Sequence, residues 1–543
     1  WVVDPTAKIV LDVQEGMSDG GVLAATGAAG LLPIDASQVE LAGSCAGWKA
    51  VSTNGVIAAV KPTSAPDGLY PYEWIGEAGD GYWSSAANWY CRTAPDGTQG
   101  LSYYFGAADG RLESDFNIRG AKLANITFRD TAVSSFIIGA SDNERTFTKT
   151  SEGGDADSSV YSLSAFPQYV GLKARNISKG LSFTSKAGPL VITSPMFYYD
   201  KCPAGILNIC GDIRISGTPS YPQVCLRRGS ASVSAQSTQL TILPGGSLTL
   251  TNQTMELGWA NSSIRVCRSG TLTFQRGSDG ALYWWKNEPG RNVVDGTLEI
   301  GVPYRGGKDQ IYGGTGVMSL AEMRPASTSS LTLADAITVE MTTNWTTASD
   351  AENCLSLKAA PFSSPVVRVS SDWTYGPAEG LGTTGPRDDR ALAVGREAVL
   401  TIDAGGHVVT LADSVAGEGT LAITNGTLRL PSGSAVSMLR LNANSVLEVS
   451  GDLSINGLAA DGGTVRFAPS SSVTCAARVN LDSMRLAVDG GLTRSWRTLF
   501  TAPQISGTPI LPDSSAVKAR IEKTADGFAF QMRAVFGVVV VIR

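Results

Sequence analysis

The chain has 543 residues, enough for two to four compact domains or one elongated repeat body. Charged residues make up 17% of it and apolar residues 43%, a composition that excludes disorder for most of the chain. The net charge is −6 and no basic block is long enough to follow a phosphate backbone, so we expect no nucleic-acid partner. No apolar run approaches the roughly 18 residues of a membrane helix, so we expect no membrane span.

Residues 1–70 are predicted to be a β-rich N-terminal segment. Their short strands resemble those near the other end of the chain, with Val39–Leu41 corresponding to Val517–Ile521. Residues 1–70 are therefore either the closing strands of a preceding module or simply a β-rich terminus. The chain starts at Trp1 rather than at methionine, and it is rich in serine, threonine and glycine. Both features favour an extracellular location.

Residues 71–135 are predicted to be a Trp-rich opening segment followed by the first coils of a repeat body. Trp74, Trp83 and Trp89 lie close together in the sequence. An indole offers a flat apolar face to a sugar ring, but tryptophans also plug the ends of repeat bodies, and we expect the structural role here. Trp284 and Trp285 are adjacent, so in a strand they would point to opposite faces and one of them would be exposed.

Residues 136–373 are predicted to be an irregular β-solenoid or β-sandwich region. Many strands begin with glycine, then threonine or serine, and Leu248, Leu272 and Leu298 occupy equivalent positions 24 and 26 residues apart. That spacing fits one coil of a solenoid better than a sandwich, whose strands return after about 8 to 12 residues. Two short segments, 316–323 and 352–359, are the best helix candidates.

Eight cysteines occur, and none has the CxxC spacing of zinc ribbons or redox motifs. Cys202 and Cys210 are the best candidate disulfide pair, because the loop between them is short and contains Pro203 and Gly205. The alternative is that both are small buried hydrophobic residues. A disulfide would persist in an extracellular setting.

Residues 374–390 are predicted to be a loop, because two prolines and four glycines fall in one stretch. Residues 391–490 carry the most regular repeats. Their repeated apolar positions are 21, 26 and 18 residues apart: Leu400, Leu421, Leu447 and Val465. Each such strand can bury its apolar face only by stacking on the next coil. Residues 491–543 are predicted to be closing strands, which makes the whole chain all-β, an elongated β-solenoid or β-helix with irregular coils and little helix.

Three stretches resemble motifs of a known class of protein: Trp74–Trp89, the Leu-Ala-Asn-Ile-Thr-Phe strand at Leu123–Phe128, and the Gly-Thr-Leu repeats of Gly417–Leu430. The class is that of large bacterial surface proteins with autotransporter-associated, or passenger-associated, β-strand repeats. The resemblance covers roughly residues 72–135 and 391–490. It implies a secreted, right-handed β-helix displayed at the surface of a bacterial cell of the Gram-negative type.

His407 is the single histidine, which excludes zinc and iron sites built on two histidines of this chain. The strongest enzymatic alternative is a polysaccharide-cleaving β-helix of the polygalacturonase type, which combines clustered aspartates, Gly-His-Gly and a basic motif. The chain has Asp388 and Asp389, but Val408 replaces the second glycine and Glu522 interrupts the basic motif. We therefore predict no enzyme activity, no catalytic residue, no cofactor and no metal site.

The two ends of the chain are predicted to pair with other copies of it. The last residues carry no charge between Arg533 and Arg543 and no proline, and such segments either tuck into the body or pair with another chain. The candidate assembly residues are Val2, Val3, Ile9, Leu11, Val535, Phe536, Val538, Val540 and Ile542. Head-to-tail pairing would give a filament or a sheet.

These features predict an extracellular structural or adhesive surface protein that self-assembles into a filament or a surface layer. Its main partners would be copies of itself. The alternative is a glycan-binding or polysaccharide-cleaving β-helix protein, with surface glycans as partners.

Overall fold

A computed structural model of the chain is all-β, as predicted. It describes residues 8–13, 17–18, 20–25, 36–43, 48–53, 56–60, 70–96, 101–106, 112–118, 123–139, 147–148, 158–171, 173–175, 180–193, 196–197, 204–216, 223–226, 237–251, 254–257, 263–275, 282–284, 290–306, 310–323, 329–341, 355–375, 392–412, 415–434, 436–511 and 516–535. Within these ranges the only helices are two 3-10 turns, Ala36–Gln38 and Ala86–Asn88. Most of the predicted loop at 374–390 lies outside them.

The chain divides into two compact units, Trp1–Arg305 and Gly306–Arg543. The first unit begins with strands β1 to β5: Ile9–Val13, Val22–Ala25, Val39–Gly43, Lys49–Thr53 and Val56–Val60. Strands β6 to β28 follow in chain order: Glu73–Trp74, Leu101–Phe105, Glu113–Asp115, Leu123–Phe128, Ile137–Gly139, Phe147–Thr148, Ser158–Ser162, Gln168–Val170, Lys173–Arg175, Gly180–Ser185, Leu190–Ile192, Met196–Phe197, Ala204–Cys210, Asp212–Ser216, Gln223–Leu226, Ser237–Ile242, Ser247–Thr251, Thr254–Leu257, Ser263–Val266, Thr271–Gln275, Leu282–Trp284, Gly290–Val294 and Thr297–Gly306. The second unit contains β29 to β50: Gln310–Gly313, Val317–Met323, Ser329–Leu333, Thr338–Met341, Leu355–Ala359, Val366–Val369, Trp373–Tyr375, Ala393–Val394, Val399–Asp403, Val408–Leu411, Thr420–Thr424, Gly426–Arg429, Met438–Leu441, Ser445–Val449, Asp452–Ala460, Thr464–Phe467, Ser472–Asn480, Arg485–Val488, Arg497–Ala502, Gln504–Ser506, Val517–Thr524 and Gly527–Ala534.

Strands β1 to β5 form a mixed sheet of their own. Its strand order is β1-β3-β4-β5-β2, so β1 and β2 are its edges. β1 pairs parallel with β3, whereas β4 pairs antiparallel with both β3 and β5. Leu41 and Ala59 are buried, and Leu11 and Val13 pack against them. This sheet therefore has a small apolar core.

The rest of the first unit consists of parallel sheets in which each strand pairs with one that follows a coil later. One sheet runs β6-β7-β9-β12-β15-β18-β21-β24-β27, and another runs β8-β10-β13-β16-β19-β22-β25-β28. In the first sheet a ladder of buried side chains passes through seven strands: Ile126, Val160, Phe183, Ile209, Ile242, Val266 and Val294. In the second sheet Leu248, Leu272 and Leu298 are direct neighbours, as their spacing predicts.

The second unit has the same arrangement with shorter coils. One parallel sheet runs β30-β32-β34-β37-β39-β41-β43-β45, and another runs β35-β38-β40-β42-β44-β46. The first contains the ladder Leu400, Leu421, Leu439, Leu458 and Val479. The second contains the ladder Val409, Leu428, Leu447, Val465 and Leu486. Full burial of each such side chain contributes about 1.5–3 kcal/mol, and the parallel coils are consistent with a β-helix-like fold.

The single ladder predicted from the sequence for residues 391–490 is wrong at one step. Leu421 lies opposite Leu439, whereas Leu447 belongs to the other sheet and lies opposite Leu428. The reason is that one coil contains two strands of the Gly-Thr-Leu type, β39 and β40, separated by a single residue. The local pattern does not specify which of them stacks on a given strand of the next coil.

Both helix candidates contain strands instead. Val317–Met323 is β30 and Leu355–Ala359 is β33. In β30, Met318 and Leu320 are fully buried while Ser319 between them is half-buried, which is the period-2 alternation of a strand. Parallel pairing of β30 with β32 stabilises the extended backbone and overrides the helical propensity of its methionines, leucine and alanine.

The second unit ends in an antiparallel arrangement. β47 pairs parallel with β45 and antiparallel with β50, and β50 also pairs antiparallel with β49. The N-terminal sheet contains the same pattern, because β5 pairs antiparallel with both β2 and β4. The two regions therefore share one arrangement, in which the second strand of a hairpin also pairs antiparallel with an earlier strand. It does not match Val39–Leu41 to Val517–Ile521, as the sequence suggested, because β3 lies before the hairpin and β49 lies within it.

Candidate functional site

The first candidate assembly strand, β1, is an edge of the N-terminal sheet. Its register gives it one partner, β3. Ile9 and Leu11 are half-buried, whereas Val10 is 60% exposed and Asp12 is exposed. The unpaired backbone edge of β1 therefore carries an exposed valine beside a carboxylate, within the part of the chain that the structure describes.

The C-terminal candidate residues are described only at Val535. This residue is half-buried, and its N–H donates to the Ala516 carbonyl oxygen at 2.9 Å, which extends the β49–β50 ladder by one pair. The other candidates lie outside the described residues: Val2, Val3, Phe536, Val538, Val540 and Ile542. Their pairing with another chain stays a prediction.

β49 is a second edge strand, and the sequence analysis did not identify it as one. Its register gives it one partner, β50, and every residue after Val517 is exposed, so neither face is covered. Ile521 is 43% exposed. The unpaired edge of such a strand presents free N–H and C=O groups to any strand that can reach it. Lys518 and Lys523 on the same strand disfavour non-specific pairing.

The tryptophans of the opening segment are buried core residues. Trp74, Trp83 and Trp89 all have 0% exposure. Trp89 meets Trp74 and Trp83 edge-on, with ring centroids 5.2 and 5.1 Å apart, a favoured geometry for aromatic pairs. The Trp89 indole N–H donates to the Trp83 carbonyl oxygen at 2.8 Å, and the Trp83 indole N–H to Ser114 Oγ at 3.1 Å. The expected structural role is confirmed, and these three rings cannot stack on a sugar.

A polar clip around Asp80 explains why the motif between these tryptophans has its composition. The Asp80 carboxylate accepts hydrogen bonds from the Ser85 hydroxyl, from the Tyr82 N–H at 2.9 Å and from Asn88 Nδ2 at 2.8 Å. The hydrogen bond from Ser85, with those from Tyr82 and Asn88, holds the pKa of Asp80 below its usual value. Asn88 is fully buried and its Oδ1 accepts from the Ala78 N–H. The polar residues of this motif therefore fold the loop that covers the aromatic cluster.

A buried ion pair lies beside the aromatic cluster and was missed by the sequence analysis. Arg129 Nη1 is 2.8 Å from Glu73 Oε2, and the two side chains are 13% and 2% exposed. The Tyr70 ring lies 5.3 Å from the Arg129 guanidinium carbon. A side chain at Gly106 would collide with the Glu73 carboxylate, so glycine is needed there. The four residues connect β6 to the end of β9 and have a structural role.

Two predictions concern residues that are described only in part. Cys210 is buried in β18, and burial raises the pKa of its thiol, but Cys202 lies outside the described residues, so the disulfide stays a prediction. Trp284 ends β26, but its side chain and the whole of Trp285 are not described, so their exposure stays a prediction as well.

The residues of the polygalacturonase-like pattern are not brought together. His407 is half-exposed in the turn before β38, with Nδ1 3.7 Å from Asp372 Oδ1. His407 follows β37, the strand at Val399–Asp403. β49, which carries the interrupted basic motif, lies seven strand positions from β37 along the sheet. At about 4.8 Å per strand this separation is roughly 34 Å. Asp388 and Asp389 lie outside the described residues. No cluster of three or more potential metal ligands occurs in the described part of the chain.

Sequence analysis also missed a cationic cluster around Trp496, which lies half-buried just before β47. The guanidinium carbons of Arg520 and Arg533 lie 4.3 and 4.6 Å from the centroid of its ring. Arg520 is on β49 and Arg533 on β50, so only the antiparallel register of these strands brings them together. The sequence feature that could have indicated this cluster is the alternation of Lys518 and Arg520, which places both side chains on one face of a strand.

Comparison with known proteins gives no match: no family model, no curated protein and no solved structure is similar to this chain. Among the described residues, no helix is long and apolar enough to cross a membrane.

Proposed function

We propose that this chain is a right-handed β-solenoid from an extracellular structural or adhesive surface protein of bacteria, and that copies assemble head to tail through their exposed sheet edges. The observation that carries the proposal is the pair of edge strands β1 and β49, each with one strand partner in its register. The stacked parallel coils support the solenoid, and the resemblance to passenger-associated repeats supports its right hand and its bacterial surface location.

The two edges are complementary in charge. Asp12 on β1 is exposed, whereas β49 presents Lys518 and Lys523. Glu40 on the adjacent β3 is 61% exposed and pairs with Lys8 at 3.7 Å. The same contrast holds more widely. Residues 1–96 contain eleven acidic and four basic side chains, and residues 491–543 contain three acidic and seven basic ones. Opposite charges across a strand pair stabilise it, and like charges oppose pairing of identical edges.

Pairing of β1 in one copy with β49 in the next would form a continuous backbone ladder, with Val10 and Ile521 as the exposed apolar contacts. Because the two edges differ, the contact is heterologous. Such a contact need not close into a ring, and repetition of it gives a filament.

The experiment measures the mass of the full chain against concentration by light scattering, with negative-stain images of the assembled fraction. Val10→Lys places a cation against cationic β49, and Ile521→Glu places a carboxylate against acidic β1, so each change should shift the chain to monomer. Val133→Lys is the matched control, since Val133 is 67% exposed and belongs to neither edge. A wild-type chain that stays monomeric at all concentrations contradicts the proposal, as does normal assembly of both edge variants.

A further inference from the structure

The cationic cluster around Trp496 forms one outward face of the C-terminal hairpin. Strand alternation and register place Lys518 opposite Arg533, and Arg520 opposite Gln531, on this face. Lys518 and Arg520 are exposed, and Arg533 is half-buried. Three cations therefore share an open surface about two strands wide, with an indole beneath two of them.

Hydrogen bonds fix the position of Arg520. Its Nε donates to Gln531 Oε1 at 2.8 Å, and Gln531 Nε2 donates to Thr498 Oγ1 at 3.2 Å, so the side chains form a chain across three strands. Its Nη2 donates to Glu522 Oε2 at 2.9 Å. Stacking on Trp496 and these bonds together hold the planar guanidinium in place before any ligand arrives. Pre-ordering lowers the entropic cost of binding.

The cluster contains three cationic side chains and one carboxylate that pairs with one of them. Glu522 is the carboxylate that pairs with Arg520, and neither Lys518 nor Arg533 forms an ion pair with a described carboxylate. The Arg533 Nε atom is shielded from solvent and has no acceptor among the described residues. Arginine forks match the paired oxygens of carboxylate and sulfate groups, so the geometry favours an anionic ligand.

The composition of the face favours a polysaccharide over a protein. Stable protein interfaces have an apolar centre with few charges. This face carries lysine, arginine, glutamate and glutamine, whereas Ile521, the exposed apolar residue of β49, lies on the opposite face with Phe530. Acidic polysaccharides are recognised by charge-assisted hydrogen bonds to groups repeated along a chain. An open sheet face admits such a chain at any point along its length.

We propose that Trp496, Lys518, Arg520 and Arg533 form a binding site for the carboxylate or sulfate groups of an acidic polysaccharide. This inference rests on the adhesive role proposed above, for which it supplies a ligand class. Lys518 contributes charge to both the site and the assembly edge, but the double variant tested below leaves Lys518 unchanged, and Arg520 and Arg533 lie on a face of the hairpin whereas assembly uses its edge. The two properties are therefore measured separately.

The experiment measures the affinity of the full chain for polygalacturonate, for dextran sulfate and for neutral dextran by titration at two salt concentrations. We expect binding to at least one anionic polymer, weakened tenfold or more by high salt, and no binding to dextran. The double variant Arg520→Gln/Arg533→Gln should weaken anion binding at least tenfold. Lys518→Gln changes an exposed side chain, so it should weaken anion binding severalfold without affecting folding. Preference for polygalacturonate or for dextran sulfate identifies the anion.

Arg440→Gln is the matched control, because Arg440 is an exposed arginine in β41 and its loss removes the same charge. It should change affinity less than twofold. Equal binding by the double variant and the wild type overturns the proposal, as does equally tight binding of dextran or of duplex DNA. Loss of self-assembly in the double variant, with no polysaccharide bound by the wild type, would assign the cluster to contact between copies instead. Normal assembly of Val10→Lys and Ile521→Glu would contradict head-to-tail assembly and would not contradict this binding site.

Discussion

Replacement of Leu447 by alanine tests the inward ladders of the second unit. Leu447 is 0% exposed and lies between Leu428 and Val465 in the adjacent strands. Leu447→Ala removes three carbons and leaves a cavity. The neighbouring coils cannot collapse into it, because backbone hydrogen bonds hold the strands about 4.8 Å apart. We therefore expect a loss of about 3 kcal/mol, within the range for buried leucines that relax only in part.

The measurement is the transition temperature of the second unit in the intact chain, by scanning calorimetry. For a unit of this size each kcal/mol corresponds to about 2–4 °C, so Leu447→Ala should lower the midpoint by about 6–12 °C. The matched control is Val446→Ala. Val446 precedes Leu447 in β42 but is only half-buried, since the strand alternates, and its truncation should cost less than about 1 kcal/mol.

Equal costs for the two variants would refute the reasoning, because they would mean that adjacent residues of β42 are not on an inner and an outer face. A midpoint unchanged in Leu447→Ala would refute it as well. Burial of a full leucine side chain cannot be removed without loss of apolar contact.

Two further predictions follow from local geometry. Gly417 has φ +117 and a side chain there would collide with the Val394 carbonyl, whereas Gly433 has φ +88 and open space around it. Urea unfolding should show a loss of about 1 kcal/mol for Gly433→Ala and a severalfold larger loss for Gly417→Ala. Burial raises the pKa of Cys475 from 9.0 to about 12. The folded chain then keeps a proton that the unfolded chain releases, so the free energy of unfolding should fall as pH rises from about 9 towards 12, and Cys475→Ser should flatten that fall.

The sequence predicts the parallel ladders where one strand type occurs once in each coil. Leu248, Leu272 and Leu298 follow this rule, and their spacing identifies direct neighbours. It fails at Leu421 and Leu447, because one coil contains two similar strands, and the 26 residues from Leu421 to Leu447 resemble a coil length although Leu447 stacks on the other strand of that coil. Hydrogen-bond register, which the local pattern does not contain, decides between the two.

The candidate edges show a different limit. Apolar segments predict β1 as an assembly strand through Ile9 and Leu11. They do not predict β49, which is charged along its length. A free edge in a soluble protein needs charged side chains to avoid non-specific pairing. A charged alternating strand near a chain end is therefore as good a sign of an edge as an apolar one. The cluster at Trp496 was missed because its residues meet only through cross-strand register.

The two hairpins explain why the likeness between residues 8–60 and 497–535 is hard to place from sequence. Thr53 pairs with Val56 in one hairpin and Thr524 with Gly527 in the other, so each closes around two residues after a threonine. By sequence those two residues are Asn54-Gly55 in the first and Ala525-Asp526 in the second. The first pair includes a glycine, whereas in the second hairpin the glycine follows the turn. An alignment on apolar residues thus shifts one hairpin against the other. Alignment on the closing threonines instead matches β4 to β49 and β5 to β50. In that alignment β2 and β47 are equivalent, because β2 pairs antiparallel with β5 and β47 pairs antiparallel with β50.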